Sequence, residues 1–251
     1  MKRYCPFVTP AFAGMAVLLV ISTPPVWAES AKALIKEAEA AWQRRDKPLQ
    51  TEAAIVLWER ALRLAPERTE LYIPLTRASG RAYRQSKDPG ERKYWSEEAR
   101  SYGALAAEKN PSRPEALALY GEALGQWAQS HKGPKSLAAV RQAVKNLEKA
   151  VSLSPRYAFA HMLLAQFYEK SPGWISVGNR KKALEHAERA VEYGPDSAIH
   201  HNTLAEIYKA RGRKVEALKE LENTLALKPP KDAVPETRAD QDNARDMLKG
   251  L

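Results

Sequence analysis

The chain has 251 residues, 44% hydrophobic and 28% charged, a balance that excludes a disordered polymer and a bundle of membrane spans. Its net charge of +10 points to anionic partners. The single cysteine, Cys5, excludes a disulfide framework and a zinc–thiolate site within the chain.

At the N-terminus, Lys2 and Arg3 precede an apolar run over 11–21. Pro24 and Pro25 follow, and Ala28 stands before Glu29. This is the layout of a secretory signal over residues 1–28. The apolar run falls short of the roughly 20 residues that span a bilayer. The expectation is a periplasmic or secreted mature chain; an uncleaved inner-membrane anchor is the alternative. Cys5 precedes the run, whereas a lipid-attachment cysteine would follow it. Loss of Lys2 and Arg3 takes the net charge from +10 to +8. Outside the cytoplasm such a chain meets anionic headgroups, cell-wall polymers or acidic proteins rather than nucleic acid.

From residue 29 to residue 229 one phrase recurs: Ala, an apolar or small residue four on, Ala three on, Pro five on. It reads Ala54, Trp58, Ala61, Pro66; then Ala99, Gly103, Ala106, Pro111; then Ala143, Leu147, Ala150, Pro155. It returns as Ala183, Ala187, Ala190, Pro195 and last as Ala217, Leu221, Thr224, Pro229, with Thr224 in place of the final alanine. The prolines stand 45, 44, 40 and 34 residues apart. Alanines seven apart share a helical face, and their small side chains let a paired helix approach closely. The proline ends that helix, because it lacks an N–H and disfavours helix in the residue before it. Partner helices show Leu164, Ala165 and Tyr168, then Leu204, Ala205 and Tyr208, with Tyr120-Gly121 in the corresponding slot of the third unit. Ser112 and Glu115 form the spacing of a capping box, predicting a helix start directly after Pro111.

On these residues the chain resembles the tetratricopeptide-repeat (TPR) family over residues 30–229. The resemblance implies an all-α, right-handed superhelical solenoid of about five helix pairs over 29–229. Residues 230–251 are then a C-terminal capping helix, with Ala244, Met247 and Leu248 on the last repeat and Asp240, Asp242, Arg245 and Asp246 in water. Extra length is expected between the helices of a pair, over 125–140 in the third unit and 171–179 in the fourth. The stretch Pro172, Gly173, Ile175, Ser176, Gly178, Asn179, Lys182, Ala183, Leu184 resembles exported bacterial TPR proteins related to the T component of TRAP-type transporters. It also resembles regulator-of-microtubule-dynamics-like proteins. That resemblance is stronger over the last 140 residues than over the first 80. It implies a helical scaffold beside an envelope transport system.

Candidate sites follow from the repeat register. Arg77, Arg81 and Arg84 share one face of the second unit's first helix. They read as a cationic stripe for an acidic tail or headgroup, or as a solvated face. Phe159, Met162 and Gln166, then Ile199, Asn202, Glu206 and Lys209, fall on the concave side of the last two units. The apolar ones imply a groove for an apolar ligand or a partner helix, unless a covering terminal helix buries them. Trp174 in the Pro- and Gly-rich insertion is either a binding anchor or a core residue folded back. Trp127 has the spacing of a core residue. His161 and His201 occupy equivalent slots, with His186 and His200 nearby, which reads as packing rather than metal binding. No nucleophile motif, phosphate loop or metal spacing is present, so neither an enzyme nor a cofactor is expected. The expected function is an interaction scaffold for another envelope protein, with membrane-surface contact open; the alternative is a carrier or sensor of an apolar small molecule or lipid.

Overall fold

The computed structural model describes residues 30–172 and 177–251. The expected signal segment over 1–28 and Trp174 lie outside the described residues. Every regular element described is helical. Five antiparallel pairs follow one another: α1 (Ala31–Gln43) with α2 (Gln50–Leu64), α3 (Tyr72–Gln85) with α4 (Pro89–Lys109), α5 (Pro114–Ser130) with α6 (Pro134–Leu153), α7 (Ala158–Lys170) with α8 (Arg180–Tyr193), and α9 (Ala198–Lys209) with α10 (Lys214–Ala226). A last helix, α11 (Val234–Lys249), packs against α9 and α10. The first helices also neighbour one another, α3 with α5, α5 with α7 and α7 with α9, and form the inner layer. Among the described residues no helix is long and apolar enough to cross a membrane.

The recurring phrase lies at the contact between layers. Ala54, Ala61, Ala99, Ala106, Ala143, Ala150, Ala183, Ala187, Ala190 and Ala217 are all 0% exposed. The backbone N–H just past α2, α4, α6 and α8 donates to the carbonyl of the phrase's second alanine, at Ala61, Ala106, Ala150 and Ala190, over 2.9–3.0 Å. The next residue in each case is the proline, which prevents continuation of the helix. Close approach also selects glycine on the facing helix. A Cβ at Gly121 would lie 2.8 Å from Leu147 Cγ and 3.3 Å from the Ala143 carbonyl oxygen.

Two local expectations are corrected. The third unit's extra length is not a loop: 125–130 continue α5 and 134–140 open α6, leaving a three-residue turn. Trp127, 9% exposed, is thereby placed in the core with Leu124, Ala139 and Ala143. The proposed capping box does not form either. Helix α5 begins at Pro114 behind Arg113 with no side-chain cap, because proline at the first position already removes one orphan donor. Glu115 instead receives Arg77 and Arg113. In the fourth unit the extra length does separate α7 from α8.

Thr224, the departure from the repeated alanine, is fully buried, and its hydroxyl donates to Asn202 Oδ1 at 2.9 Å. Asn202 Nδ2 then donates to the Asp240 carbonyl at 2.8 Å, tying α11 to the last pair. Farther along α11, Ala244, Met247 and Leu248 cover Ala205 and Leu221. Asp242, Arg245 and Asp246 face solvent, but Asp240 is turned inward. Gly121→Val should cost about 1–3 kcal/mol by overpacking, read as a lower urea midpoint with an unchanged helical spectrum.

Candidate functional site

The inner layer holds the charged residues singled out in the sequence. Arg77, Arg81 and Arg84 each meet a carboxylate. Arg77 pairs with Glu115 and Arg84 with Glu122, both one unit ahead on α5. Arg81 pairs with Glu236 on α11, 155 residues away. Glu236 is also gripped by Arg45, in the α1–α2 turn, whose Nε and Nη2 each donate to it over 2.8 Å. The same guanidinium donates to the Asp232 and Trp42 carbonyls and lies 4.8 Å above the Trp42 ring. Its side chain is 5% exposed and that of Arg81 is 11% exposed. The first turn of α11 thus links the first two repeats to the end of the array.

The electrostatics of this contact follow from its burial. Burial opposes charge on Glu236, yet the Arg45 hydrogen bonds and the Arg81 charge hold its carboxyl below the usual range. Asp240, one turn on, is compensated only by the more distant charge of Arg84. Burial pushes it up to about 7, Arg84 opposes the shift and Glu236 adds to it. Sequence reasoning placed the three arginines on one face but missed Arg45 and the acids of α11. The acids form an i, i+4 pair, Glu236 and Asp240, which is a legible signal.

The proposed apolar groove is corrected in two places. Met162 is 3% exposed and Asn202 1% exposed, so neither faces a free surface. Met162 belongs to the central core, and Asn202 is used by Thr224 and α11. Phe159 and Ile199 are partly buried against the same core, with Phe159 also against Ile73 and Leu119. Gln166 and Glu206 come together on a shallow cavity of about 190 Å³ between α7 and α9. There Gln166 donates to the Thr203 hydroxyl at 3.2 Å, and Glu206 lies 3.6 Å from Lys170. A larger cavity of about 350 Å³, missed in the sequence, is lined by apolar residues such as Trp42, Trp58 and Leu71 and equally by charged ones, among them Arg68, Arg77 and Glu115. Nothing in the irregular first two repeats signalled it.

The histidines take structural roles. His161 and His201 bond through Nε2 to the Pro155 and Pro195 carbonyls at 2.9 and 2.8 Å, the same contact in successive repeats. A carbonyl only accepts, so His161 carries its proton on Nε2. Its Nδ1 then accepts from His186 Nδ1, 2.8 Å away. Burial, then the repulsion between the two rings were both protonated, pushes His186 down to about 4, and burial lowers His161 as well. Burial also opposes charge on His201, but its bond to Glu220 at 2.6 Å outweighs this and raises it. Among the described residues no group of three or more His, Cys, Asp or Glu is placed to hold a metal.

Two pH responses follow. His186 is neutral when folded and binds its proton more readily when unfolded, so its contribution to stability is present above pH 6.5 and lost as pH falls toward about 4. His186→Leu should flatten that part of the melting-temperature profile relative to the native chain. Asp240 has the opposite sign: its folded pKa is raised, so stability is lost as pH rises from 3.8 through about 7. Asp240→Asn should therefore raise the melting temperature by a few degrees at about pH 8 and leave it unchanged below about pH 4.

The family model described as regulator of microtubule dynamics protein 1-3 matches residues 34–170. That span covers the first three helix pairs and α7. The match therefore falls on the earlier part of the chain, not on the stretch after residue 170 from which the resemblance was read. No curated protein matches. Among solved structures, the thermophilic TPR protein TTC0263 of Thermus thermophilus is similar with a TM-score of 0.64 at 20% identity, over 86% of this chain and 99% of that one. MamA residues 41-end from Desulfovibrio magneticus RS-1 gives 0.52 at 17% identity, over 84% and 97%. Yeast Tom70 gives 0.51 at 17% identity, over 88% of this chain and 41% of that one. These likenesses establish the TPR solenoid fold. With more than half its length matched, the chain belongs to the regulator of microtubule dynamics protein 1-3 family, built as a TPR array.

Proposed function

We propose that this protein is an exported TPR scaffold that binds another protein of the cell envelope along its inner layer, in the service of a transport system. TPR proteins mediate protein–protein interaction, and this chain has their architecture. The observation that carries the reading is the row Arg77, Arg81 and Arg84 on α3, backed by Glu115 and Glu122 of the next repeat. Rigid helices hold these guanidinium groups at fixed spacing, and such groups recognise carboxylates in defined geometry. The layout of residues 1–28 supports export. The partner is a protein and not a nucleic acid, because the cations of the inner layer alternate with acids instead of forming a continuous basic track. The reading is non-enzymatic, since the perturbed groups serve packing and ion pairing.

A second reading, a carrier of an apolar small molecule or lipid, draws on the cavity of about 350 Å³, whose wall sets Trp42, Trp58 and Leu71 beside charged residues such as Arg68 and Glu70. Crosslinking in the native envelope followed by native mass spectrometry separates the two. The scaffold reading expects one co-purifying protein, whose yield falls by about tenfold or more in an Arg77→Ala/Arg84→Ala chain. Recovery of a bare chain, or of one bearing only a small-molecule mass, overturns it.

A further inference from the structure

The two halves of α11 are held by different forces. Its second half is anchored by apolar contacts, Ala244, Met247 and Leu248 with Leu251 against Ala205, Leu221 and Leu225. Its first two turns, and the residues just before them, are held by polar ones: Glu236 to Arg45 and Arg81, the Asp240 carbonyl to Asn202, and ahead of the helix the Asp232 carbonyl to Arg45. Residues 232–242 carry four carboxylates, Asp232, Glu236, Asp240 and Asp242, against one cation, Arg238. An acidic helical segment is therefore already seated on the arginines of the first two repeats, 191 residues away at Arg45.

Arg77 and Arg84 take their carboxylates from the neighbouring repeat, as a continuous array allows. Arg45 and Arg81 take theirs from α11. If α11 lifts, two guanidinium groups lose their counter-charge together, and another carboxylate can take its place between them. Polar contacts of this kind exchange without exposing a core, whereas the Ala244–Leu251 anchor keeps the displaced segment tethered.

We propose that the arginine surface under the first two turns of α11 is the docking site for an acidic amphipathic helix of a partner protein, and that α11 occupies this site in cis until the partner displaces it. The recognition feature is a carboxylate in the first turn of the helix, as in Glu236, reached by both Arg45 and Arg81. The existence of such a partner rests on the scaffold reading above.

The test uses the full chain and a fluorescein-labelled peptide copying residues 230–251, read by anisotropy. The native chain should bind it weakly, because its own helix competes. Glu236→Ala should bind about tenfold tighter or more, since the site is then open in most molecules. Arg81→Ala in that background should abolish the gain. Glu236→Gln, which keeps the side chain's size, should reproduce the gain if the alanine variant folds poorly by circular dichroism. Equal affinity of native and opened chains overturns the proposal, as does a gain that survives Arg81→Ala. So does a peptide-insensitive dimer of the opened chain in sedimentation, which would make a second copy the occupant. Because the peptide is chemically defined, this result stands apart from envelope capture, and the two readings fail separately.

Discussion

Close approach of two helices within each repeat is the constraint on which the rest depends. It is set by four pairs of alanines seven residues apart, all eight with no exposed surface. A larger side chain at any of these places would push the second helix away from the first, and with it the face that the next repeat covers. Stability is therefore distributed, each pair burying its neighbour's apolar side. Where the pattern departs from alanine, the replacement brings its own partner. Thr224 is bonded to Asn202, and through it to α11, so the last pair is joined to its cap by hydrogen bonds as well as by apolar contact.

Charged residues of the inner layer serve a second level of organisation. Arg77 with Glu115 and Arg84 with Glu122 join consecutive first helices at a spacing of 38 residues. Exposed pairs of this kind contribute little to stability, roughly 0–1 kcal/mol each. Their effect is on geometry, since they hold guanidinium groups in a row. The contact among Arg45, Arg81 and Glu236 differs because it is largely dry and spans the array from its first repeats to its last helix. It holds the ends together without a continuous apolar interface, which leaves this contact separable from the core.

Buried ionisable groups carry the pH character of the molecule. The neutral His161–His186 pair disfavours acid, Asp240 disfavours alkali, and His201 stays charged more readily because Glu220 faces it. The His161–His186 and His201–Glu220 contacts each lie between the two helices of one pair, α7 with α8 and α9 with α10, whereas Asp240 lies where α11 meets the array. Proton binding by the histidines therefore acts within the last two helix pairs, and proton binding by Asp240 acts on the seating of α11.

The sequence by itself determined the helical pairs, because the alanine–proline phrase encodes both close approach and helix termination within one short stretch of chain. It also determined which arginines share a face and which histidines are equivalent, since helical periodicity is local. Trp127 was legible as core for the same reason. Other features depended on where distant segments meet. The third unit's extra residues became longer helices and not a loop, because tertiary packing gave both extensions a buried face. Met162 and Asn202 left the expected groove for the interior once the neighbouring helices and α11 were in place. The pairing of Arg45 and Arg81 with Glu236 was decided only by the tertiary structure, since it depends on the summed curvature of five repeats, which no local pattern records.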